Sequence, residues 1–331
     1  MVRRACPTEP ATKPQIIVAA YGANERLMSV ASEKLDAEIV HGSAATVDVS
    51  LPLASGVQSV KAFVFDSMGG LKPVTGEEYM AVDDNDDITI YLAGDSTVCD
   101  YTAEYYPQAG WGQMLGRYFD SEHVKIDNRA IGGRSTKSFI SEGRLDAITE
   151  DIKEGDYLFI QFAHNDQKPD EARHTAPGST YKDYLVKYIR AARDNGAYPV
   201  LVTAPQRRDF NKNGEFMGIT DLAPYYEAVR QVASEYNVPL IELANEWAEV
   251  VTNAGAEGAK KYYLFTKAND SRFDSQKLSG SNYANGVTDS THFNEFGADY
   301  MASIIAEKID ALNLPIDAYL NDYTPAEVPA Y

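Results

Sequence analysis

From residue 88 onward, short apolar runs alternate with longer segments in which apolar residues recur every three or four positions. The first pattern predicts buried strands and the second predicts amphipathic helices. We predict strands over 88–93, 124–127, 157–162, 199–203 and 239–241. We predict helices over 112–119, 136–142, 145–151, 181–192, 222–236, 242–251 and 294–312. This βαβα order predicts a parallel sheet with helices on both faces. The polar stretch 255–286 is expected to be an irregular insertion near the site.

The first 86 residues carry a different pattern, in which short runs of β-forming residues are separated by turn-forming residues. These runs lie at 16–21, 27–32, 45–53 and 60–65, and an acidic stretch at 83–87 is typical of a solvated linker. We therefore predict two domains. Residues 1–86 form a small β-sandwich-like accessory domain with its linker, and residues 87–331 form the α/β domain.

Four polar segments follow predicted strands or precede the last predicted helix. They are Gly94-Asp95-Ser96-Thr97, Gly132-Gly133-Arg134-Ser135, Ala163-His164-Asn165-Asp166 and Asp289-Ser290-Thr291-His292. In open α/β sheets, ligands bind outside the carboxyl ends of the strands. We therefore expect these four segments to lie together at that edge of the sheet.

Acyl transfer explains the residue types in these segments. A serine hydroxyl such as that of Ser96 is a weak nucleophile until a base removes its proton. His292 fits the base, and Asp289 fits the carboxylate that orients it. The oxyanion of the tetrahedral intermediate needs pre-placed donors. The backbone N–H groups of Ser96 and Gly133, with the Asn165 amide, fit that set. The pattern predicts a serine hydrolase.

Some of these assignments have alternatives. Ser96 could instead be the N-cap of a helix, since serine caps well. Gly132 could replace Gly133 as the oxyanion donor. His164 competes with His292 as the base, but its place in the chain favours a structural or substrate-orienting role.

The same segments resemble a known superfamily. Together with the Arg207-Arg208 pair and Phe293, these blocks, which fall within residues 88–312, are similar to the SGNH (GDSL) hydrolases and more narrowly to rhamnogalacturonan acetylesterases. The resemblance implies a flavodoxin-like three-layer α/β/α fold and removal of acetyl groups from pectic polysaccharide without a cofactor. It also implies a catalytic triad of Ser96, Asp289 and His292, with Gly133 and Asn165 completing the oxyanion hole.

Two further features belong to this resemblance. The superfamily's glycine two places before the asparagine is Ala163 in this chain, so we expect a local difference in packing. The N-terminal β-rich segment loosely resembles the small Fn3-like pieces found beside such esterases.

Four cationic or titratable side chains are candidates for substrate binding: Arg134, His164, Arg207 and Arg208. Arginine forks bind carboxylates well, so the arginines could meet an acidic sugar backbone. They could equally be solvated charges or partners of helix ends.

Composition narrows the classes of partner. The formal net charge of −19 argues against nucleic acid, whose phosphates need a basic surface, and against an anionic membrane. No apolar run reaches the roughly 18 residues of a membrane span. Cys6 and Cys99 belong to no zinc pattern, and we predict neither metal nor cofactor. The N-terminus has no apolar signal core, so we expect an exported protein without its signal, or else a cytoplasmic one.

The residues therefore predict a serine hydrolase, and the resemblance implies a carbohydrate esterase that acts on an acetylated polysaccharide or oligosaccharide, most closely rhamnogalacturonan. One alternative is another SGNH esterase that acts on acetylated xylan, small acetyl sugars or lipid esters. An alternative from a different class is a non-catalytic carbohydrate-binding or scaffold protein.

Overall fold

A computed structural model describes residues 15–22, 26–34, 49, 59–65, 79–80, 88–218, 222–312 and 314–331. The chain divides into two compact units, Met1–Asp86 and Asp87–Tyr331. We call them the N-terminal unit and the main unit. Among the described residues, no helix is both long and apolar enough to cross a membrane.

The N-terminal unit contains an antiparallel sheet. Its strands are β1 (Gln15–Gly22), β2 (Arg26–Lys34), β3 (Ser59–Phe65) and β4 (Tyr79–Met80), in the order β2-β1-β3-β4. The predicted runs 16–21, 27–32 and 60–65 lie within β1, β2 and β3. The strand predicted over 45–53 lies outside the described residues, apart from Val49.

The main unit alternates strands and helices, as its hydrophobic pattern predicts. Its strands are β5 (Ile88–Gly94), β6 (Gln108–Ala109), β7 (Val124–Asn128), β8 (Tyr157–Gln161), β9 (Tyr198–Val202), β10 (Leu240–Ile241), β11 (Tyr263–Lys267) and β12 (Gly286–Asn294). Its helices are α1 (Trp111–Leu115), α2 (Thr136–Ser141), α3 (Arg144–Asp151), α4 (Thr180–Asp194), α5 (Ala223–Glu235), α6 (Leu243–Gly258), α7 (Ser275–Ser279) and α8 (Glu295–Leu312).

Five of these strands form a parallel sheet in the order β10-β9-β8-β5-β7. The order confirms the flavodoxin-like α/β prediction, with β5 and its Ser96 turn next to both β7 and β8. Alternate residues of a strand face opposite sides of the sheet. Tyr91 and Ala93 therefore pack into a cluster with helices α2 to α5, while Leu92 faces α1. A side chain at Gly112 of α1 would lie 2.6 Å from Leu92, so this helix needs a glycine there.

A second, antiparallel sheet in the main unit has the order β11-β12-β6. This sheet corrects one prediction, because the stretch 255–286 is not irregular: it contains the end of α6, strand β11 and helix α7. The reason is the apolar run Tyr262-Tyr263-Leu264-Phe265, which is buried where β11 pairs with β12.

Candidate active site

Ser96 lies in a tight turn directly after β5. The N–H of Val98 donates to the carbonyl of Asp95 at 3.1 Å, and a side chain at Gly94 would clash with Val98 at 2.6 Å. The Asp95 carboxylate is fully buried and accepts from the N–H and hydroxyl of Thr97 at 3.0 and 2.9 Å. The turn therefore holds Ser96 half-buried between buried neighbours. The next α-helix begins at Trp111, so Ser96 does not cap a helix.

A buried chain of hydrogen bonds anchors this turn to the sheet and to α1. Trp111 Nε1 donates to Gln161 Oε1 at 2.7 Å, and Gln161 Nε2 donates to the hydroxyl of Thr97 at 2.7 Å. On its other side, Asp95 faces His164, with Oδ2 3.5 Å from Nδ1. Burial would raise the pKa of Asp95, but the neighbouring His164 and the hydrogen bonds from Thr97 bring it below its ordinary value. Asp95 is thus held as a carboxylate behind Ser96.

His292 joins Ser96 to Asp289. Its Nε2 lies 3.0 Å from Ser96 Oγ, and its Nδ1 lies 2.7 Å from Asp289 Oδ2. The other oxygen of Asp289 accepts from the backbone N–H groups of Thr291 and His292 at 2.7 and 3.0 Å. Burial opposes ionisation of Asp289, but these bonds and the nearby His292 lower its pKa to about 2. The carboxylate is therefore charged at neutral pH and fixes the orientation of the imidazole.

An irregularity in β12 brings His292 to this position. Tyr263 and Leu264 are adjacent on β11, yet they pair with Phe293 and Asp289 on β12. The three residues 290–292 therefore bulge out of the ladder, and bulges of this kind re-aim side chains beside active sites. The N–H of Arg208 secures the bulge by donating to the carbonyl of Ser290 at 2.8 Å.

The loop after β7 lies against Ser96. A side chain at Gly132 would lie 3.6 Å from Ser96 Cβ, and Gly133 has φ of +82°, a conformation that favours glycine. The thiol of Cys99 is buried beneath this turn, and burial raises its pKa to about 11. Gly133 stays the predicted oxyanion donor, and Gly132 stays the alternative.

Asn165 lies on the other side of the site, in the loop after β8, and is buried. Its Nδ2 donates to the carbonyl of Arg134 at 3.1 Å, which uses one of the two N–H groups of the amide. Arg173, which the sequence did not single out, places NH1 3.5 Å from Asn165 Oδ1. Two positions earlier, Ala163 has φ of +154°, where glycine is the favoured residue. The expected local difference at Ala163 is thus backbone strain.

The four candidates for substrate binding differ in their burial and in the hydrogen bonds that they make within the protein. His164 is 3% exposed and faces Asp95, so its ring lies behind the serine turn rather than at a surface. Both Nε and NH2 of Arg208 donate to the carbonyl of Ala256, at 2.9 and 2.5 Å, so its guanidinium is used within the protein. Arg134 is one-third exposed and bonds the carbonyl of Gly132 at 2.9 Å. Arg207 lies in the loop after β9 and is half-buried.

The Arg207 guanidinium faces the side-chain amide of Gln167. With the Gln167 amide oriented so that its oxygen faces the arginine, Arg207 donates to it through NH1 and NH2 at 3.1 and 3.0 Å. Arg134 also pairs through Nε with Glu142 Oε2 at 3.1 Å, so both arginines are partly engaged within the protein beside the loops that carry Gly133 and Asn165. In the described part of the chain, no group of three or more His, Cys, Asp or Glu side chains is placed to hold a metal ion.

Several known proteins are similar to this chain in sequence or in fold. Residues 92–300 match the sequence model of the GDSL-like lipase/acylhydrolase family. Rhamnogalacturonan acetylesterase RhgT of Bacillus subtilis (strain 168) is 43% identical over 233 residues, which cover 70% of this chain and 94% of that protein. Probable rhamnogalacturonan acetylesterase YesY of the same organism is 42% identical over 228 residues, which cover 69% of this chain and 94% of that protein. The crystal structure of protein YxiM from Bacillus subtilis matches with a TM-score of 0.57 and 22% identity, over 92% of this chain and 79% of that one.

The fold and these relatives define a class: the protein is a serine ester hydrolase of the SGNH type. The chain belongs to the GDSL-like lipase/acylhydrolase family. The resemblance seen in the sequence is thereby confirmed.

Proposed function

We propose that this enzyme removes O-acetyl groups from rhamnogalacturonan by acyl-enzyme catalysis. The observation that carries the proposal is the unbroken chain of hydrogen bonds from Ser96 Oγ through His292 to Asp289, at 3.0 and 2.7 Å. A nucleophile, a base and a third group that orients the base, all within hydrogen-bond reach, form the arrangement that ester hydrolysis requires.

The proposed reaction has two halves. Ser96 Oγ attacks the acetyl carbonyl carbon while His292 Nε2 takes its proton, and the C–O bond to the sugar then breaks as His292 returns that proton to the sugar oxygen. Water next attacks the acetyl carbon while His292 accepts a proton from it. The bond between the acetyl carbon and Ser96 Oγ then breaks, His292 returns the proton to Oγ, and acetic acid leaves and ionises in solvent. Asp289 stabilises the imidazolium throughout, since its pKa of about 2 keeps the carboxylate ionised at neutral pH.

The oxyanion in each half is stabilised by donors around Ser96. The proposed donors are the N–H groups of Ser96 and Gly133 and the second N–H of the Asn165 amide. The bond from Asn165 to the carbonyl of Arg134 supports this role, because it fixes the amide while leaving one N–H for the ligand. Loss of one such donor typically costs about 3–4 kcal/mol of transition-state stabilisation.

Two lines of support favour a pectic substrate. The relatives with 43% and 42% identity are named rhamnogalacturonan acetylesterases. Arg134 and Arg207 also provide cations beside the site of a protein whose net charge is −19. Guanidinium groups bind the carboxylates of acidic sugars well, so these two arginines are the proposed substrate-binding cations.

The test is acetate release from acetylated rhamnogalacturonan and acetylated xylan, measured side by side. We expect release mainly from rhamnogalacturonan, and we expect Ser96→Ala to lower the rate roughly 10⁴-fold. Ser303→Ala on α8 is the matched control and should act as the wild type does. Release mainly from xylan would keep the mechanism and overturn the substrate. A fully active Ser96→Ala variant would overturn the mechanism.

A further inference from the structure

A tyrosine follows the nucleophile turn and contacts it directly. The hydroxyl of Tyr101 donates to the carbonyl of Ser96 at 2.8 Å. The Tyr101 ring in turn packs edge-to-face against Tyr105, with ring centroids 5.9 Å apart. Tyr105 is 39% exposed, which is unusual for a large ring in the described part of the main unit. An exposed aromatic ring is therefore only one side chain away from the nucleophile.

The segment that carries Tyr105 is held at both ends. The N–H of Asn282 donates to the carbonyl of Glu104 at 2.8 Å. The hydroxyl of Tyr106 donates to Glu295 at 2.6 Å and accepts from the N–H of Asp274 at 3.1 Å. Because its neighbours on both sides are fixed, Tyr105 is exposed without being on a free loop.

Tyr283 connects this aromatic side of the site to the triad. Its hydroxyl donates to Gln108 at 2.5 Å, and Gln108 lies on β6, the strand that pairs with β12. Strand β6 pairs with the end of β12 that directly follows His292, and the bond from Tyr106 to Glu295 reaches the residue after that strand. The segment that carries Tyr105 thus lies on the triad side of Ser96, whereas Arg134 and Asn165 lie on the side of the oxyanion donors.

We propose that Tyr105 is a stacking platform for a pyranose ring of the glycan, next to the sugar that carries the acetyl group. The proposal rests on the function proposed above and adds a sugar subsite to it. A pyranose presents one face of C–H groups, which suits the face of an aromatic ring, and tyrosine offers a rigid ring with a polar tip that stays hydrated. The glycan would then cross the site between this aromatic side and the arginines.

The test compares a glycan with a small ester. Wild type, Tyr105→Ala and Tyr105→Phe are assayed on acetylated rhamnogalacturonan oligosaccharides and on p-nitrophenyl acetate. We expect Tyr105→Ala to raise KM for the oligosaccharide, so that the ratio of the two kcat/KM values falls roughly tenfold, and Tyr105→Phe to keep the ratio. Tyr323→Ala is the matched control, since Tyr323 is similarly exposed at 38% but packs on Tyr118.

Other results of these assays would overturn the stacking platform, the proposed function or both. If Tyr105→Ala lowers kcat/KM equally for both substrates, Tyr105 acts only through the packing of the serine turn. If it lowers neither value, Tyr105 contacts no sugar. Either result overturns the stacking platform while leaving the proposed function intact. A wild type that hydrolyses p-nitrophenyl acetate but deacetylates no glycan overturns the proposed function, and the platform with it.

Discussion

Asp166 is a buried carboxyl group that connects two of the loops around Ser96. Its Oδ1 accepts from the hydroxyls of Thr136 and Thr175 at 2.5 and 2.9 Å, and the N–H of Thr136 lies 3.2 Å from both oxygens. Thr136 begins α2, three residues after Gly133, and Asp166 follows Asn165. Burial raises the pKa of Asp166 to about 7, because these hydrogen bonds offset only part of the desolvation. The loops of two of the three proposed oxyanion donors, Gly133 and Asn165, are therefore joined through one carboxyl group that is costly to ionise.

This raised pKa predicts a pH-dependent stability difference for Asp166→Asn. Between the ordinary value of 3.8 and about 7, the folded protein binds more protons than the unfolded chain, so its free energy of unfolding falls as pH rises. An asparagine does not titrate, and its amide oxygen can keep both hydroxyl bonds. We therefore expect Asp166→Asn to gain stability relative to wild type across that window, by about 1.4 kcal/mol for each unit of raised pKa.

Chemical denaturation at about pH 4.5 and about pH 7.5 measures this difference directly. Asp166→Ala is the contrasting variant: it leaves the hydroxyls of Thr136 and Thr175 without their acceptor, and should destabilise the protein at both pH values by about 1–3 kcal/mol for each group left unpaired. A difference between wild type and Asp166→Asn that does not change with pH would show that Asp166 has an ordinary pKa.

At the scale of elements, the parallel sheet was predictable and the sheet that carries His292 was not. Strands β5, β7, β8 and β9 are apolar runs flanked by helical patterns, so each can be recognised from its own residues. Strand β11 is short, and its pairing with β12 depends on residues about 30 positions away, such as Phe293 opposite Tyr263. Residues 290–292 likewise have the sequence of a polar loop, and only their partner strand β11 shows that they form a bulge.

The same distinction separates the site residues. Ser96, Asn165 and His292 follow strand ends or precede a helix, so the topology alone brings them to one edge of the sheet. Arg208 was a candidate for substrate binding, with a solvated charge or a partner of a helix end as the alternatives, because its neighbours in the fold cannot be seen in the sequence. In the fold its guanidinium lies 5.1 Å from the ring centroid of Phe265 on β11 and bonds the carbonyl of Ala256. Arg208 therefore connects the loop after β9 to α6 and β11.

This placement predicts that Arg208→Ala acts through the fold and not through the glycan. Loss of its bonds to Ala256 and of its contact with Phe265 should lower the free energy of unfolding by about 2 kcal/mol. Because the Arg208 loop secures the bulge beneath His292, kcat should fall by the same factor for glycan and for p-nitrophenyl acetate. Denaturation curves and kinetics on both substrates measure these effects.

Variants of two other arginines serve as references for Arg208→Ala. Arg190→Ala, at an exposed position on α4, should change neither stability nor rate. Arg134→Ala should lower activity on the glycan more than on the small ester, as expected of a substrate-binding cation. If Arg208→Ala instead showed the glycan-selective loss, Arg208 would contact substrate, as the sequence first indicated.

At the scale of the whole molecule, the main unit has the size of a complete relative. The alignment with RhgT spans 233 residues of this chain and 94% of that protein. The matched family region, 92–300, lies entirely within Asp87–Tyr331. The described residues of the proposed site, from Ser96 to His292, also belong to this unit. The residues to which the proposed reaction assigns a role therefore all lie in the main unit.

The main unit alone, residues 87–331, should therefore fold cooperatively and keep the activity of the full chain on p-nitrophenyl acetate. The chain offers a direct probe of this prediction: its two tryptophans, Trp111 and Trp247, are both in the main unit and are 1% and 0% exposed. Tryptophan fluorescence thus reports unfolding of the main unit even in the full chain.

We expect the same denaturation midpoint with and without residues 1–86. A lower midpoint for residues 87–331 would mean that the N-terminal unit stabilises the enzyme. An unchanged midpoint with weaker activity on the polymer would assign the N-terminal unit to glycan binding.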